Sequence, residues 1–587
     1  MNEEKLQKIR HSLSHLMSMA VQELYPQVGL GVGPAVENGF YQDYDLPTGQ
    51  AGLPETITPE ILPKLEKRIR ELIKENIEFK QHDMDFDEAY KLYKHDPYKT
   101  WFIDDLKERG EKLSFYKSGW FDNLCGGPHV DSTKEIDPDA FKLTHIAGAY
   151  WHGDEKEKML TRIYGVAFES KEELEKYLEM IEEAKKRDHR KLGKELGLFT
   201  VSELVGKGLP MLMPKGNVIR TELEKMIFSK KQALNYSFVT IPHIARKELY
   251  IKSGHMGKYD AMMPVMKDEN GDEFVMKAMN CPHHFEIYNA EPHSYKDLPY
   301  RIAENTAVYR NEKGGELSGL LRVKNITQDD THHFITEDQI ESEIEMIFGL
   351  MREVYEIFDF TNYKVEISIR DKKNKDKYFG KDEIWEKAEA ILEKSVKKWG
   401  VNFEIKEGEA AFYGPKIDIK VKDSIGREWQ LTTIQLDFNQ PENFEMDYTG
   451  EDGKKHRVVV LHVAILGSFE RFMGVIIEHY AGAFPVWLSP VQVCVLPISE
   501  KHHDYAKEIF DTLKKEGVRV ELKDEAESLG KKIRNAKIEK VPYLIVIGDK
   551  ELDSKTLTIE GRNDEKMESV KIDEFIKLIK EKVENKN

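Results

Sequence analysis

The sequence predicts an α+β multidomain protein with a central antiparallel sheet, and three observations support this fold class. The chain has 587 residues, enough for about four domains of ordinary size or fewer large ones. Its middle part is rich in short strand-like runs such as YKVEISI, PKIDIKV and RVVVLHVAIL, with few helical segments between them. After Pro490, strand-like and helical segments alternate, which predicts a small α/β domain.

Turn-rich segments and helical periodicity divide the chain into four regions. The first mixes short helical and strand patterns with glycine turns. The second has apolar residues at helical spacing and a capping-box pattern from Ser170 to Glu173, and Gly193 and Gly197 break its far end, so it predicts a connecting helix. The third is the strand-rich middle part, and the fourth is the α/β segment. Their predicted bounds are 1–168, 169–197, 198–490 and 491–587.

Composition and charge restrict the class of protein. Hydrophobic residues make up 40% and charged residues 33%, as in soluble globular proteins. No apolar run reaches the roughly 18 residues that span a bilayer, and MNEEKLQKIR does not resemble a secretory signal. The three cysteines are far apart and odd in number, which favours a reducing cytoplasm over a disulfide framework. A net charge of −18 argues against bulk electrostatic binding of nucleic acid, although KKRDHRKLGK and GKKIRNAKIEK are basic strips or solvated helix faces.

The stretch RHSLSHLM places His11 and His15 four residues apart on a predicted helix. The apolar residues that follow form a stripe on one face of that helix, and the two histidines fall roughly opposite to it. We therefore expect them to face solvent or a cleft. Further along, FDNLCGGPHV adds Cys125 and His129 in a glycine-proline turn. The four side chains could form a Cys-His₃ zinc site or a hydrolytic pocket without metal, and spacing alone leaves both open.

Arginines in the middle region indicate a nucleotide site. Arg310 and Glu312 precede a glycine-containing loop, Arg322 follows it, and Arg471 comes after a Gly-Ser turn at the start of a predicted helix. A guanidinium donates parallel hydrogen bonds to phosphate oxygens, and a carboxylate accepts one from an adenine amino group. Neither a Walker loop nor a Rossmann fingerprint occurs, so we expect arginines to hold the nucleotide.

Many ordered motifs make the chain similar to the class II aminoacyl-tRNA synthetases, in particular the threonyl-tRNA synthetases. The resemblance implies a class II antiparallel-sheet catalytic core, an N-terminal α+β editing domain and a C-terminal α/β anticodon-binding domain. Most bacterial relatives begin with a small β-grasp domain, which we expect this chain to lack. The matching motifs include YQDYDLP, DPYKTWF, CGGPHV, AGAYWHGDE, RIYGVAF, KRDHRKLGKELGLF, MNCPHHF, YRNE, TQDDTHHF, AFYGPKID, TIQLDF and HVAILGSFERF.

The resemblance places one Zn²⁺ per subunit on Cys281, His332 and His462. His333, next to one of these ligands, is less expected in that role. Three protein ligands leave an open position, which in this family is filled by threonine. Core packing is the alternative for any one of these ligands alone. The residues that match the threonine pocket are Met279, Gln328, Asp330, Tyr413 and Gln435.

The resemblance also implies the reaction, in which ATP and L-threonine give threonyl-adenylate and pyrophosphate and the threonyl group then passes to the threonine tRNA. Arg310 should hold the α-phosphate and Glu312 the adenine amino group. Arg471 should stack on adenine and reach the γ-phosphate, and Arg322 should approach the terminal phosphates. Mg²⁺ should accompany the ATP, and Gln328 belongs to the predicted catalytic set.

Serine differs from threonine by one methyl group, which is worth only about 1–3 kcal/mol of discrimination. A second, hydrolytic site is therefore expected. By resemblance, its residues hydrolyse mischarged seryl-tRNA without a required metal. Asn123 stands where the family usually has an aspartate, with Asp122 beside it, which puts the editing rate in question. The residues that match this editing pocket are His11, His15, Lys99, Cys125 and His129.

The remaining expectations concern partners and rival functions. By resemblance, Arg534 and Glu551 would read the anticodon, as would Arg562, which lies close to Glu560 at a usually basic position; surface salt bridges are the alternative for each. A homodimer is expected, because the class II segment that ends near Pro242 normally lies at a dimer interface. The rival functions are a serine-accepting relative, a synthetase-like RNA-binding regulator without catalysis, and a freestanding editing hydrolase. The intact arginines and zinc ligands argue against the regulator.

Overall fold

A computed structural model describes residues 3–46, 58–154, 156–423, 426–562 and 565–587. The chain forms two compact units, one ending at Glu182 and the other beginning at Glu183. Pro47 and Glu155, each part of a motif quoted above, lie outside the described residues. Within the described ranges, no helix combines the length and the apolar character that a membrane span requires.

The first unit packs helices against a small antiparallel sheet. Its helices are Glu3–Leu24 (α1), Leu62–Lys74 (α2), Phe86–Tyr93 (α3), Pro97–Glu108 (α4) and Lys171–Arg187 (α5), the last of which continues past Glu182. Its strands are Gly29–Leu30 (β1), Ala35–Val36 (β2), Gly39–Asp45 (β3), Phe79–Asp83 (β4), Ser114–Ser118 (β5), Phe121–Leu124 (β6), Phe141–Tyr150 (β7) and Met159–Ala167 (β8). One sheet has the order β1-β3-β8-β7, with β2 beside β3, and a second has the order β4-β5-β6.

Helix α1 is buried on more sides than its apolar stripe predicts. Leu13 and Leu16 belong to the apolar core of this unit, as expected from the stripe. Ser14, Ser18 and His15 are also buried, with His15 only 3% exposed. Of the two expected environments, solvent and a cleft, the histidines therefore face a cleft, because other elements cover the side of α1 opposite the stripe.

The segment predicted to form one connecting helix forms two helices. Ser170 Oγ accepts a hydrogen bond from the Glu173 backbone N–H at the start of α5, as the capping pattern predicts. The helix ends at Arg187, and Asp188 then caps a second helix by accepting from the Arg190 N–H. Gly193 lies inside that second helix and does not end it. A Cβ there would approach the Phe199 ring to 2.2 Å, so close packing explains this glycine.

The second unit is built on an eight-stranded sheet. Its first helices are His189–Glu195 (α6), Pro214–Ala233 (α7), Lys247–Lys252 (α8), His255–Lys258 (α9), Cys281–Asn289 (α10), Ile340–Ile357 (α11), Asp382–Trp399 (α12), Asn439–Phe444 (α13) and Phe469–His479 (α14). Its first strands are Phe199–Thr200 (β9), Met211–Leu212 (β10), Ser237–Phe238 (β11), Ile244–Arg246 (β12), Met266–Lys267 (β13), Glu273–Met276 (β14), Tyr300–Tyr309 (β15), Asn325–Ile335 (β16), Tyr363–Ile369 (β17), Phe403–Glu407 (β18), Lys416–Lys422 (β19), Glu428–Asp437 (β20), Asp447–Thr449 (β21), Lys455–Arg457 (β22) and Val459–Ser468 (β23).

The order of the large sheet confirms the predicted antiparallel core. The strands follow the order β11-β15-β16-β23-β20-β19-β17-β18. All pairs from β15 to β17 are antiparallel, and only the two outermost pairs are parallel. Helices α11 and α14 contribute Ile344 and Phe472 to the apolar core shared with this sheet. The centre of the sheet is therefore a rigid platform for side chains on its other face.

The C-terminal segment confirms the predicted alternation of strands and helices. Its helices are His503–Lys515 (α15), Leu529–Ile538 (α16), Asp549–Ser554 (α17) and Ile572–Glu584 (α18), and its strands are Val493–Pro497 (β24), Val520–Leu522 (β25), Tyr543–Ile547 (β26), Leu557–Gly561 (β27) and Lys566–Val570 (β28). The sheet order is β25-β24-β26-β27-β28. Strand β24 is parallel to both of its neighbours, whereas β26, β27 and β28 pair antiparallel.

Candidate active sites

Three predicted metal ligands meet on the central platform of the large sheet. His332 on β16 lies directly opposite His462 on β23, and Cys281 is the first residue of α10. One donor atom from each residue lies within 4.8 Å of the others. His332 Nε2 and His462 Nδ1 are 3.0 Å apart. All three side chains are buried, so their donor atoms face one another in a shielded space.

The outward nitrogens of both histidines have partners of their own. His462 Nε2 is 3.0 Å from Asp437 Oδ2, and His332 Nδ1 is 2.8 Å from His284 Nδ1. Such partners fix the ring orientation of metal-ligating histidines. A set of one thiol and two imidazoles suits Zn²⁺ and leaves a fourth tetrahedral position open. The residues present therefore fit the predicted metal.

The electrostatics of this cluster favour a cation. Burial lowers the pKa of His332 well below its usual range, which keeps the imidazole in the neutral, metal-binding form. Burial also raises the pKa of the Cys281 thiol, and the nearby carboxylates of Asp330 and Asp437 raise it further. Negative charge around a buried thiol and the neutral His332 imidazole attracts a divalent ion.

His333 does not belong to the cluster. Successive side chains of a strand point to opposite faces, so His333 lies on the other side of the sheet from His332. There its Nε2 is 2.8 Å from the Tyr236 hydroxyl, and its Nδ1 is 3.0 Å from Glu343 Oε2. These contacts explain the second histidine of the pair as part of the packing beneath the sheet.

The residues predicted to bind an amino acid surround the cluster. Gln328 and Asp330 share the face of β16 that carries His332. Asn280 Nδ2 donates a hydrogen bond to Asp330 Oδ2 at 2.8 Å, which fixes the carboxylate. The Tyr413 ring centroid is 5.2 Å from that of His462.

Two further residues of the predicted set border the same space. Gln435 pairs with His462 in the sheet register. The Gln435 Nε2 donates to the Gly414 carbonyl at 3.3 Å. Met279 Sδ accepts a hydrogen bond from Arg310 Nη2 at 3.3 Å, which joins the amino-acid pocket to the arginine group.

Three arginines form a positively charged region beside this pocket. Arg471 lies at the start of α14, where Ser468 Oγ accepts from its backbone N–H. Its guanidinium donates to the carbonyls of Leu321 and Gln430 at 3.1 and 3.0 Å. Burial, followed by the charges of Arg310 and Arg322, lowers the pKa of Arg471 to about 10. Three cations held this close favour a polyanionic ligand.

Glu312 is paired within the same region. Arg322 Nε lies 2.9 Å from Glu312 Oε2, and Arg322 Nη2 lies 2.6 Å from Glu316 Oε2. The predicted contact between Glu312 and an adenine amino group therefore requires that the carboxylate share its oxygens with Arg322 or exchange this partner when a nucleotide binds.

Three residues of the second cluster, His11, His15 and Cys125, line a cavity of about 970 Å³ in the first unit. His11 Nε2 and His129 Nε2 both lie 3.3 Å from Cys125 Sγ, and the His11 and His129 rings stack at 4.1 Å. His15 lies beside them, with its ring centroid 4.3 Å from that of His129. Donor atoms of these four residues also lie within 4.8 Å of one another. Lys99 lines the same cavity and is only 4% exposed.

Burial sets the protonation states in this cavity. It lowers the pKa of His11 and His15, and it lowers that of His129 to about 2, so the three imidazoles are neutral. Burial also lowers the pKa of Lys99 to about 8, which leaves it largely protonated at neutral pH. Burial raises the pKa of Cys125, so the side chain is a thiol rather than a reactive thiolate.

The predicted anticodon residues lie in three separate parts of the C-terminal segment. Arg534 is an exposed residue of α16. The Glu551 carboxylate accepts hydrogen bonds from the Gly548 N–H and the Thr558 hydroxyl at 3.0 and 2.6 Å. Arg562 is partly buried and donates to the Phe484 carbonyl at 2.9 Å. Of the three, Arg534 is the side chain most available to a ligand.

Sequence reasoning assigned no role to Asn280, His284 or Asp437, although all three contact the first cluster or its pocket. The quoted motifs MNCPHHF and TIQLDF contain them, so the signal was present, but only the sheet register shows which atoms they contact. A third group, Asp188, His189 and Glu478, also brings possible ligand atoms together. There both ring nitrogens of His189 already have partners, Glu478 Oε1 at 2.8 Å and the Leu320 N–H at 3.1 Å.

Comparisons with known proteins cover most of the chain. Residues 113–164 match the threonyl and alanyl tRNA synthetase second additional domain, 265–480 the class II tRNA synthetase core domain (G, H, P, S and T), and 492–582 an anticodon binding domain. The chain is 46% identical over 584 residues to a threonine–tRNA ligase of Geobacillus sp. (strain WCH70), with 99% of this chain and 89% of that protein covered.

Two further comparisons give matches of the same kind. A threonine–tRNA ligase of Acetivibrio thermocellus is 47% identical over 579 residues, covering 98% of this chain and 88% of that protein. A solved structure, titled as the RNA binding domain of threonyl-tRNA synthetase from Cryptosporidium parvum Iowa II, is similar with a TM-score of 0.64 and 34% identity. It covers 67% of this chain and 98% of its own.

Proposed function

The chain belongs to the threonine–tRNA ligase family, and we propose that it attaches L-threonine to the threonine tRNA with ATP and hydrolyses mischarged seryl-tRNA. The observation that carries this function is the full-length similarity at 46% identity. Within it, the predicted zinc ligands meet on the large sheet and the predicted hydrolytic residues meet in the first unit. The matched segments fall inside the regions 1–168, 198–490 and 491–587, which supports their assignment as editing, catalytic and anticodon-binding domains.

We assign one Zn²⁺ per subunit to Cys281, His332 and His462. When bound, the metal would offer an open position to the amino and hydroxyl groups of threonine. Asp330, held by Asn280, is placed to accept a hydrogen bond from the substrate ammonium group. Tyr413 is buried and limits the space in the amino-acid pocket. A pocket of this kind rejects valine, which lacks the hydroxyl, far more strongly than serine, which keeps it.

The arginine group accounts for ATP binding. The threonine carboxylate attacks the α-phosphorus, a bond from that phosphorus to the bridging oxygen breaks, and pyrophosphate with Mg²⁺ leaves. Arg310 is assigned to the α-phosphate, because it contacts Met279 at the border of the amino-acid pocket. Arg471 and Arg322 are assigned to adenine and the terminal phosphates. Catalysis here is positioning and charge stabilisation, for which fixed guanidinium groups are suited.

Hydrolytic editing is assigned to the cavity of the first unit, without a required metal. Since Cys125 is a thiol and the three histidines are neutral, we propose that water attacks the ester carbonyl carbon while an imidazole accepts its proton. The ester C–O bond then breaks, and the departing tRNA hydroxyl takes that proton. The protonated Lys99 is placed to stabilise the charge that develops on the ester oxygen. Asn123 lines this cavity in place of the usual aspartate. It offers an amide where relatives offer a charge.

A homodimer forms part of the proposal. Phe228 on α7 is 41% exposed and its ring stacks at 4.0 Å on Phe238 of the edge strand β11, close to the segment that ends near Pro242. Leu204 is 99% exposed. Exposed groups of apolar side chains mark interaction surfaces, so these residues support contact with a second copy of the chain. Sedimentation of the full chain should give twice the chain mass, and a monomer would contradict this part.

The whole function is tested by ATP–pyrophosphate exchange and by charging of a threonine tRNA transcript. We expect exchange that depends on threonine, and threonyl-tRNA as the product. No exchange from zinc-loaded protein would contradict the proposal and favour a synthetase-like RNA-binding regulator.

A further inference from the structure

Cys281, His332 and His462 together form the sheet cluster. Its two histidine ligands are held in different ways. The outward nitrogen of His462 meets a carboxylate directly, with Asp437 Oδ2 at 3.0 Å. The outward nitrogen of His332 meets another imidazole, with His284 Nδ1 at 2.8 Å. His284 is fully buried in α10, three residues after Cys281 and one turn along the same helix. The ring therefore lies where it can be fixed by the same helix that supplies the thiol.

A carboxylate lies behind His284. Glu304 Oε2 on β15 is 3.7 Å from His284 Nε2. Neither atom has a hydrogen-bond partner within the part of the chain that the structure describes, and both are buried. The other oxygen, Glu304 Oε1, accepts from the Ile241 backbone N–H at 2.9 Å, which fixes the carboxylate in place. Two buried polar atoms without other partners, facing each other at this distance, point to an interaction between them.

The hydrogen positions follow from the geometry. His332 Nε2 points toward the other ligands, so a metal bound there leaves the proton of the neutral ring on Nδ1. That N–H can donate only if His284 Nδ1 accepts, which places the His284 proton on Nε2, toward Glu304. One arrangement of protons thus satisfies all three groups.

We propose that His284 and Glu304 form a positioning relay, in which Glu304 sets the tautomer of His284 and His284 in turn orients His332 for zinc. This inference rests on the proposed zinc site. His284 is a positioning residue, because it does not touch the metal or the substrate. Relays of this kind raise the basicity of the ligand and reduce its rotation, and their loss typically weakens metal binding by about 10–100-fold.

The test is zinc affinity of the full chain, measured by competition with a chromogenic chelator. His284→Leu removes the acceptor and should weaken binding by about 10–100-fold. His284→Asn places an amide oxygen near the position of Nδ1 and should restore most of that loss. Glu304→Gln keeps the shape but removes the charge that sets the tautomer, and should cost about tenfold, the lower end of the range. The matched control is His283→Asn, the adjacent buried histidine on the same helix, which should bind like the parent protein.

A second readout separates positioning from general damage. At saturating zinc, His284→Leu should raise the KM for threonine, while seryl-tRNA hydrolysis, which belongs to the first unit, stays at the parent rate. Parent-like zinc affinity of His284→Leu would overturn the relay. If His284→Leu fails to fold, the zinc affinity of Glu304→Gln provides the same test, since a parent-like affinity of Glu304→Gln also overturns the relay. A parent protein that binds no zinc would overturn the relay together with the zinc site, whereas equal affinities in parent and variants overturn the relay alone.

Discussion

Two clusters of cysteine and histidine occur among the described residues, and they differ in what surrounds them. In both, the donor atoms lie within 4.8 Å of one another. Around the sheet cluster, the ring of His462 is held by the carboxylate of Asp437. In the first unit, the outward nitrogens of His11 and His129 meet neutral oxygens instead, the Pro128 carbonyl at 3.2 Å and the Ser12 hydroxyl at 3.1 Å.

Charge makes the same distinction. Burial and then the carboxylates of Asp330 and Asp437 raise the pKa of Cys281, so the sheet cluster lies in negative surroundings that favour a cation. In the other cavity, burial lowers the pKa of His15, and the neighbouring His129, His11 and Lys99 lower it further. A second positive charge is disfavoured there. Similar donor spacing therefore supports two different chemistries, metal-assisted selection in one place and hydrolysis in the other.

Discrimination between substrates should give a larger difference in rate than any single substitution. In pyrophosphate exchange, valine should be activated about 10⁴–10⁵-fold less well than threonine, because it leaves polar groups of the pocket unpaired. Serine should lose only about 10–200-fold. Both rates are measured with the parent protein under one set of conditions. Valine and serine rejected to the same extent would show that the hydroxyl is not recognised and would remove the need for a second site.

His11→Ala should affect the cavity of the first unit alone. Removal of an imidazole that handles protons should slow seryl-tRNA hydrolysis by about 10²–10⁴-fold, while threonine-dependent exchange is unchanged. The matched control is His145→Ala, an exposed histidine of β7 in the same unit. Normal hydrolysis by His11→Ala would contradict the assignment of this cavity.

Cys281→Ser should affect the sheet cluster alone. Loss of an outer partner weakens metal binding by about 10–100-fold, so loss of a direct ligand should exceed about 100-fold and threonine activation should fall with it. Seryl-tRNA hydrolysis should remain. Zinc-free protein that activates threonine at the parent rate would contradict the ligand assignment.

The sequence already contained most of the sheet cluster. Gln328, Asp330 and His332 alternate along one strand, so their common face could be predicted, and motif resemblance supplied the partners from other strands. The roles of His284 and Asp437 could not be predicted, because they depend on which rings meet across α10, β16 and β20. No local pattern encodes that register.

The first unit shows another limit of sequence patterns. Stripe residues of α1 such as Leu13 and Leu16 enter the core as predicted, but periodicity describes one face of a helix only, and Met19 and Val21 outside the stripe are core residues too. His15 is buried because other elements cover the opposite side. The break at Asp188 was also missed, since residues on both sides of it favour a helix and only the cap geometry separates α5 from α6.

The smallest effect concerns pH. Burial lowers the pKa of Lys99 to about 8. If the protonated amine assists hydrolysis, the enzymatic rate of seryl-tRNA hydrolysis is supported below pH 8. Above pH 8 this rate falls by about tenfold per pH unit as the amine loses its proton. Rates are corrected for uncatalysed ester hydrolysis. Lys99→Arg keeps its charge over this range, so its profile should lack the decline, and an identical decline in that variant would assign the titration to another group.

The division of chemistry between the two clusters can be tested by the zinc content of three purified proteins, the parent, Cys281→Ser and Cys125→Ser, each dialysed against the same buffer. It predicts one zinc per chain in the parent and in Cys125→Ser, and none in Cys281→Ser. Zinc that is lost from Cys125→Ser and retained by Cys281→Ser would place the metal in the first unit and contradict the division of chemistry between the two clusters.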